Sequence, residues 1–296
     1  MAGRKKRYSI QRNGVNPQHF SSGQIKFYLY LIPLAVFMAL PIVFIFFNAF
    51  KPMDELFAYP PRFYVRNPTW NNFTTLFSMT ANSDIPASRY LFNSILSTAL
   101  VVVGTVWISV SAGYTFSKKR GKGISLFQRL NTLALMFVPV AVAIPRYYII
   151  VTLGLQNNFL AHIVPLLAMP VGVFLVKQFI DQIPDALIEA AVIDGAGEFL
   201  ILRRIIIPLA MPALSTVVIL AFQSSWNSVE ASTMYIDNEA LKNFAFYLST
   251  FSGASNGVAG QGVAAATTLI QFLPNLVLFI IMQSKVMDSM VHSGIK

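Results

Sequence analysis

Residues 27–50 read FYLYLIPLAVFMALPIVFIFFNAF and contain no Asp, Glu, Lys or Arg. An α-helix rises about 1.5 Å per residue, so a run of about 20 apolar residues crosses the hydrocarbon core of a bilayer. A charged side chain at the centre of that core costs about 2.5–3.5 kcal/mol, which explains why such runs lack charges. The stretch is too long for the apolar core of a signal peptide, so it predicts a retained membrane-spanning helix.

Five more apolar runs follow along the chain, at residues 90–116, 126–150, 158–180, 205–225 and 262–283. Only 11% of the chain is charged and 55% is hydrophobic, whereas a soluble domain carries about 25% charged residues. A helix in a large soluble core rarely runs for about 20 residues without an exposed polar face. The sequence therefore predicts an all-α, polytopic membrane protein with six transmembrane helices.

Basic residues orient these predicted spans. They cluster before the first span, between the second and third, and between the fourth and fifth: Arg4, Lys5, Lys6, Arg7, Lys118, Lys119, Arg120, Lys122, Arg203 and Arg204. Because these connections alternate, they lie on one side of the membrane, which the positive-inside rule identifies as the cytoplasm.

The predicted organisation follows from this orientation, with both termini in the cytoplasm. It comprises a basic N-terminus (residues 1–26), a first span (27–50), an extracytoplasmic loop (51–89), a five-helix core (90–283) and a cytoplasmic tail (284–296). The core contains a cytoplasmic loop at 181–204 and a second outer loop at 226–261.

Several function classes are disfavoured by composition. The net charge of +10 reflects topology signals at the ends of apolar runs rather than a nucleic-acid-binding surface. The chain has no cysteine, and His19, His162 and His292 lack metal-ligand spacing, so no metal site is predicted. No GxxxxGK[ST] loop is present, so ATP hydrolysis would require another chain. We predict that the protein is not an enzyme.

The cytoplasmic loop begins the stretch DQIPDALIEAAVIDGAGEFLILRRIIIPLAMPAL, residues 181–214. Pro184 suits the start of a helix, and Asp194-Gly195 is a turn signal in which Gly195 adopts positive φ to end that helix. A second helix is predicted from about Gly197. The resulting helix–turn–helix either rests on lipid headgroups or docks a cytoplasmic partner, and its excess of acidic residues favours docking.

Short motifs recur at intervals between residues 90 and 227: Ala112-Gly113-Tyr114, Pro139, Pro145, Leu153-Gly154-Leu155, Lys177-Gln178-Phe179, Ile183-Pro184, Glu189-Ala190-Ala191, Asp194-Gly195-Ala196, Ile205, Pro208, Pro212 and Trp226-Asn227. In this combination the chain resembles the permeases of ABC-type importers, and more narrowly the maltose-type carbohydrate permease family. The segment 228–231 departs from the large apolar cluster expected there.

The resemblance implies a type I ABC importer permease fold in the inner membrane of a bacterium. It implies a second, unlike permease subunit, two ATPase subunits that bind ATP and Mg, an extracytoplasmic solute-binding protein and a sugar or oligosaccharide substrate, with no cofactor in this chain. It also assigns ATPase contact to the loop 181–204, which we call the coupling loop, through Glu189, Ala190, Ala191, Asp194, Gly195 and Ala196.

Polar and aromatic residues near the predicted outer ends of the spans are candidates for a substrate path. They are Asn93, Tyr147, Tyr148, Gln223, Trp226, Asn227 and Gln271. Sugar sites combine hydrogen-bonding partners with stacking aromatic rings, which these residues supply. The alternative is interhelical hydrogen bonding together with an aromatic belt at the membrane interface.

The outer loop 226–261 carries aromatic residues among polar ones and ends in a Gly/Ser/Ala-rich stretch. It either receives substrate from a binding protein or lies on lipid as an amphipathic hairpin. Two other functions stay open: a secondary, ion-coupled transporter and an ABC permease for a non-sugar solute. The lack of an acidic residue inside the predicted spans disfavours an ion-coupled carrier.

Overall fold

The computed structural model describes residues 25–81, 85–254 and 258–293. Within these ranges every regular element is a helix, so the predicted all-α class is confirmed. The basic cluster near the N-terminus lies outside the described residues, as do positions 255–257 in the Gly/Ser/Ala-rich stretch and 294–296 in the predicted tail.

Fifteen α-helices occur in the described part of the chain. The first eight are α1 Ile25–Phe50, α2 Met53–Leu56, α3 Asn71–Ala81, α4 Ala87–Lys118, α5 Lys122–Ala134, α6 Ala143–Thr152, α7 Val164–Leu167 and α8 Pro170–Ile180. The others are α9 Asp185–Ile193, α10 Glu198–Ile201, α11 Ile207–Leu209, α12 Met211–Trp226, α13 Glu230–Met234, α14 Phe244–Ala254 and α15 Val258–Ser293. Short 3-10 turns occur at Phe159–His162 and Glu239–Leu241, and a π-helical turn at Leu202–Ile206.

Three predicted spans are single helices that are long and apolar enough to cross a membrane: Ile25–Phe50, Ala87–Lys118 and Gly260–Gln283. Two more are helix pairs with a sharp bend. Phe159–Leu167 and Pro170–Ile180 meet at 40°, and Glu198–Leu209 and Met211–Met234 meet at 84°. The described residues therefore provide three such helices, or up to five if each bent pair is one span.

The remaining predicted span, residues 126–150, consists of two helices, α5 and α6, with turns between them at 135–142. Pro139 lies in this break. Proline has no amide hydrogen and restricts the preceding residue, so a helix is interrupted there. A proline is also the first or second residue of the second helix in each bent pair: Pro170 begins α8, and Pro212 is the second residue of α12. Prolines thus lie at or beside the points where these predicted helices divide, whereas Pro33 and Pro41 in α1 and Pro274 in α15 do not end their helices.

The chain separates into two compact units, residues 1–44 and 45–296. The described part of the first unit is the apolar helical stretch 25–44, with Lys26 as its one charged residue. All of the sites discussed below belong to the second unit.

The largest core cluster of the second unit joins α4, α8, α12 and the coupling loop. Its buried members include Val110, Val176, Ile180, Ile206 and Val217. Close approach of α4 and α8 depends on Gly113, since a Cβ atom there would lie 3.0 Å from Val176 Cγ1 and 3.1 Å from the Lys177 amide nitrogen. The coupling loop is therefore packed directly against the helix bundle.

Topology can be tested by labelling single cysteines, because the chain has none of its own. Arg120 and Asp237 are exposed and lie at the predicted cytoplasmic and outer surfaces. We expect Arg120→Cys to react with a membrane-impermeant maleimide only in inside-out vesicles, and Asp237→Cys only in right-side-out cells. Labelling of both positions from the same side would contradict the alternation of spans between them.

Candidate functional site

The coupling loop is an ordered helix–turn–helix, as predicted. Helix α9 ends in a Schellman motif, in which the Ala196 amide donates to the Ala191 carbonyl at 2.9 Å and the Gly195 amide donates to the Val192 carbonyl at 3.0 Å. These two bonds satisfy carbonyl groups that the end of a helix would otherwise leave free. The chain then turns into α10 at Gly197.

Gly195 lies at the left-handed position of this motif with φ +81°, which confirms the conformation predicted from the Asp-Gly signal. A Cβ atom there would meet nothing within 4 Å. The requirement for glycine is therefore set by backbone conformation and not by space.

The predicted contact residues divide between two faces of the loop. Ala191 and Ala196, together with Ile188, pack against the main core cluster. Glu189, Ala190, Asp194 and Gly195 are exposed, as is the neighbouring Ile193, which is 85% exposed. One face therefore holds the loop on the bundle, while the other presents two carboxylates and the large apolar side chain of Ile193 to the outside.

A cavity of about 370 Å³ lies beside the turn. It is lined by Ala191, Asp194, Gly195, Ala196, Leu200, Ile201, Arg204 and Ile205. The cavity thus lies between the turn and the segment 200–205 that follows it, and it is large enough for an inserted side chain from another protein.

Three acidic residues of the loop are neutralised by lysines of the same chain. Asp181 pairs with Lys177 at 2.6 Å, Asp185 pairs with Lys118 at 2.7 Å, and Glu198 pairs with Lys119. The acidic excess that favoured docking is therefore smaller than the sequence indicates. Glu189 and Asp194 form no ion pair among the described residues, so they are the carboxylates free to meet a partner.

Glu198 is held from two directions. Lys119 donates to one carboxylate oxygen, and the Tyr114 hydroxyl donates to Oε2 at 2.8 Å. The hydrogen bond from Lys119, followed by that from Tyr114, lowers the pKa of Glu198 below its ordinary value. The stabilisation from this group is present above its ordinary pKa and is lost as the pH falls through the lowered value. At neutral pH the carboxylate is therefore ionised and paired.

Among the substrate-path candidates, the structure brings Trp226 and Gln271 together. Trp226 Nε1 donates to the Gln271 carbonyl at 3.1 Å, and its ring stacks on Phe222 with centroids 5.7 Å apart. Trp226 is 6% exposed. In this chain its indole joins α12 to α15, which is the interhelical role that the sequence left open as the alternative.

Two further candidates form an exposed amide group with Asn275. Asn227 Nδ2 donates to the Gln223 carbonyl at 3.1 Å, and Asn275 Nδ2 donates to Asn227 Oδ1 at 3.2 Å. Gln223 and Asn227 are both exposed; the Gln223 side-chain amide is available to a ligand, whereas the Asn227 amide already bonds to Gln223 and Asn275.

Asn93 is buried and its amide is engaged. Its Nδ2 donates to the carbonyls of Ala240 and Lys242, both at 2.9 Å. Asn93 thus fastens the outer loop to α4. Among the described residues, no hydrogen bond joins Asn93 to the amide group at Asn227.

Tyr147 and Tyr148 lie on α6 next to an ionic cluster. The Tyr147 ring lies 6.1 Å from that of Tyr235, whose hydroxyl donates to Glu230 Oε1 at 2.8 Å. Arg146, which could have reached toward lipid headgroups, instead pairs with Glu230 at 3.1 Å. Burial, then the hydrogen bond to Glu230, raises the pKa of Tyr235 to about 12, so this phenol stays protonated.

The described part of the outer loop is folded onto the bundle. Buried Asn243 accepts from the Ser232 hydroxyl at 3.0 Å and donates to the Ser228 carbonyl at 2.5 Å. His162 lies 3.0 Å from the Leu241 carbonyl through Nε2. The roles of Asn243 and Glu230 could not be predicted from the sequence, because they depend on how the outer loop folds and, for Glu230, on Arg146, which is 84 residues away.

No group of three or more His, Cys, Asp or Glu side chains in the described part of the chain is arranged to hold a metal ion. The features that remain are the exposed face of the coupling loop and the polar groups along α12 and α15. A helical bundle with helices long and apolar enough to cross a membrane, together with an ordered and exposed loop, is the architecture of a polytopic helical membrane protein.

Comparison with known proteins supports this class. Residues 25–284 match the family described as "Binding-protein-dependent transport system inner membrane component". The chain therefore belongs to this family, and its predicted resemblance to importer permeases is confirmed.

Individual relatives agree over most of their length. The chain is 30% identical over 278 residues to "Probable ABC transporter permease protein YurM" of Bacillus subtilis (strain 168), covering 93% of this chain and 89% of that protein. It is 29% identical over 258 residues to "Sulfoquinovosyl glycerol transport system permease protein SmoH" of Agrobacterium fabrum (strain C58 / ATCC 33970), covering 86% and 88%.

The fold is also shared with a chain from the crystal structure of a bacterial ABC transporter involved in the import of the acidic polysaccharide alginate. The TM-score is 0.73 at 20% identity, with 90% of this chain and 98% of that chain covered. The type I importer permease fold predicted from the sequence fits this likeness.

Proposed function

We propose that this protein is the permease subunit of an ATP-driven, binding-protein-dependent importer for a sugar or oligosaccharide. The observation that carries the proposal is the coupling loop, whose Schellman turn at Gly195 presents Glu189, Ala190 and Ile193 outward. Its family membership supplies the context, and the relatives named for sulfoquinovosyl glycerol and alginate support a carbohydrate substrate.

In this proposal the exposed face of α9 sits in a groove on an ATPase subunit, with Ile193 as the apolar anchor and Glu189 as the charged contact. ATP and Mg bind to the ATPase chains, and this chain needs no cofactor of its own. A second, unlike permease offers an equivalent loop to the second ATPase subunit. Closure of the ATPase pair then moves both loops together and opens the path outward.

The exposed amides of Gln223 and Asn227 are the best placed of the substrate-path candidates. Sugar hydroxyls donate and accept hydrogen bonds, and these amides offer both functions at the end of α12. Trp226 and Asn93 are less suited to contact the sugar, since both are buried and bonded to other segments. The extracytoplasmic solute-binding protein would deliver the sugar to this side of a bacterial inner membrane, with both chain termini in the cytoplasm.

An ion-coupled secondary transporter is the second candidate. Such carriers commonly use charged residues at membrane depth, and the predicted spans contain no acidic residue for a proton or sodium relay. An exposed, ordered loop of the type seen at 181–204 has no function in that mechanism.

Reconstitution in liposomes tests the proposal. The permease would be purified with its second permease and ATPase subunits, and uptake of a panel of labelled sugars measured with the solute-binding protein present. We expect uptake that requires internal ATP and the binding protein, accompanied by stimulated hydrolysis. Uptake driven by an ion gradient without ATP would instead establish a secondary transporter.

The amide group provides a separate prediction. Gln223→Leu together with Asn227→Leu removes hydrogen-bond partners from the proposed path, each worth about 0.5–1.5 kcal/mol, so sugar uptake should fall about tenfold or more. Hydrolysis without the binding protein should stay near the wild-type rate. Asn67→Leu, at an exposed amide in the loop 51–89, is the matched control. Equal uptake in all three proteins would remove these amides from the path.

A further inference from the structure

Helix α4 is an unbroken rod across the bundle. It runs from Ala87 to Lys118, 32 residues with no proline, which corresponds to a length of about 48 Å. Helices α8 and α12 are joined to the helices before them by bends of 40° and 84°. An unbroken helix transmits a displacement along its axis, whereas a bend absorbs part of it.

The C-terminal end of α4, with Lys119 directly after it, is bonded to both helices of the coupling loop, α9 and α10. Lys118 Nζ donates to the Ile183 carbonyl at 2.6 Å and pairs with Asp185 at the start of α9. Lys119 and the Tyr114 hydroxyl bind Glu198 at the start of α10. The Schellman turn lies between these two attachment points. The loop is therefore anchored to α4 on either side of its exposed tip.

The N-terminal turns of α4 are hydrogen-bonded to the outer loop in a similar way. Asn93 donates to the carbonyls of Ala240 and Lys242, while the Ser94 hydroxyl accepts from the Phe244 amide at 2.8 Å. The Tyr90 hydroxyl donates to Glu239 Oε2 at 3.3 Å. Both loops are thus bonded to the same continuous helix, one at each end.

The middle of α4 is packed so that it cannot slide freely past its neighbours. Val101, Thr105 and Val110 are at most 1% exposed. Thr98 and Ser225 share a hydrogen bond of 3.1 Å between α4 and α12. Close-packed interiors have low compressibility, so a displacement of one end of the helix is carried through the bundle.

We propose that α4 is the strut that carries motion from the coupling loop to the outer loop, and that Lys118, Lys119 and Tyr114 are positioning residues that attach the loop to it. This inference rests on the proposed function. It identifies α4 as the helix of this chain that transmits the closure of the ATPase pair. The positioning residues act through the loop and contact neither the sugar nor ATP.

A charge-swap cycle at the Lys119–Glu198 pair tests the attachment. Lys119→Glu and Glu198→Lys each place like charges together, so the binding-protein-stimulated part of ATP hydrolysis should fall about fivefold relative to the unstimulated rate. The double variant restores the attraction and should regain most of that stimulation. Arg120→Glu is the matched control, because Arg120 is exposed and forms no ion pair in the described ranges 25–81, 85–254 and 258–293.

The ratio of stimulated to unstimulated hydrolysis is the decisive readout, since a purely structural role would lower the amount of inserted complex without changing this ratio. Wild-type ratios in both single variants, or losses that add in the double variant, would overturn the proposal.

Transmission itself is tested at the other end of the strut. In an Asp237→Cys background, we expect the alkylation rate of the outer loop to differ between the nucleotide-free and the vanadate-trapped complex. Lys119→Glu should abolish that difference, and the charge swap should restore it. An unchanged rate in the background protein, or a difference that survives Lys119→Glu, would show that α4 does not carry the motion.

Failure of this inference is distinguishable from failure of the proposed function. If Gly195→Val removes stimulated hydrolysis while the Lys119 variants keep it, the coupling loop drives transport but α4 is not its strut. If Gly195→Val also leaves stimulation intact, the coupling role of the loop itself is wrong.

Discussion

Replacing Gly195 with Val should abolish most binding-protein-stimulated ATP hydrolysis and transport while the chain still inserts into the membrane. At φ +81° a β-branched residue is strained by about 1–3 kcal/mol, and that strain opposes the Schellman turn that positions the exposed face of α9. A free-energy difference of this size shifts the population of the native turn by about 5- to 150-fold. The measurement is stimulated hydrolysis by the purified complex, normalised to the inserted protein.

Gly197→Val is the matched control for this substitution. Gly197 has φ −74° and ψ 162°, a conformation open to any residue, and a Cβ atom there meets nothing within 4 Å. The two variants place the same side chain two residues apart in one exposed turn, and only one of them strains the backbone. Equal loss of coupling in both would show that added bulk at the partner surface, and not turn geometry, is responsible.

The second large effect is expected from Gly113→Leu, which should destabilise the bundle by about 1–3 kcal/mol or more through overpacking. Any Cβ atom at this position presses on the Lys177 backbone nitrogen at 3.1 Å as well as on Val176, and backbone cannot move aside as a flexible side chain can. Helices α4 and α8 would have to separate. A lower midpoint of thermal unfolding in detergent measures the loss.

Gly123→Leu controls for the general effect of replacing a helical glycine by leucine. Gly123 lies in α5 with nothing within 4 Å of an added Cβ, and leucine has the higher helix propensity. Its unfolding midpoint should equal or exceed that of the wild type. If Gly113→Leu behaves in the same way, close packing at that position does not limit stability.

The coupling loop shows which structural features can be predicted from adjacent residues and which cannot. The helix after Pro184, the left-handed Gly195 and the second helix at Glu198 were all predictable, because a helix start, a glycine terminator and a restart are encoded within a few adjacent residues. The charge of the loop surface was not predictable in the same way. In the sequence, every acidic residue of the loop contributes one negative charge to that surface. In the structure, lysines at the C-terminal ends of α4 and α8 neutralise three of these charges.

For the substrate-path candidates as well, the sequence alone could not predict which side chains are exposed. Asn93 and Trp226 are polar or aromatic residues at the ends of apolar runs, and so are Gln223 and Asn227. Only the packed bundle separates the first pair, which is buried and bonded to neighbouring segments, from the second pair, which is exposed. Proposals for residues that touch the sugar therefore depend on the structure.

The sequence by itself determined that this is a helical membrane protein with a helix–turn–helix loop. Hydropathy, backbone restriction and helix termination are properties of contiguous residues, so they can be read without knowledge of the fold. Tertiary structure alone decided which charges and amides meet. The residues in the pairs Lys118–Asp185, Arg146–Glu230 and Asn93–Lys242 are 67, 84 and 149 positions apart. Such contacts arise only when helix packing brings distant segments together, and two of these pairs join α4 to the coupling loop and to the outer loop.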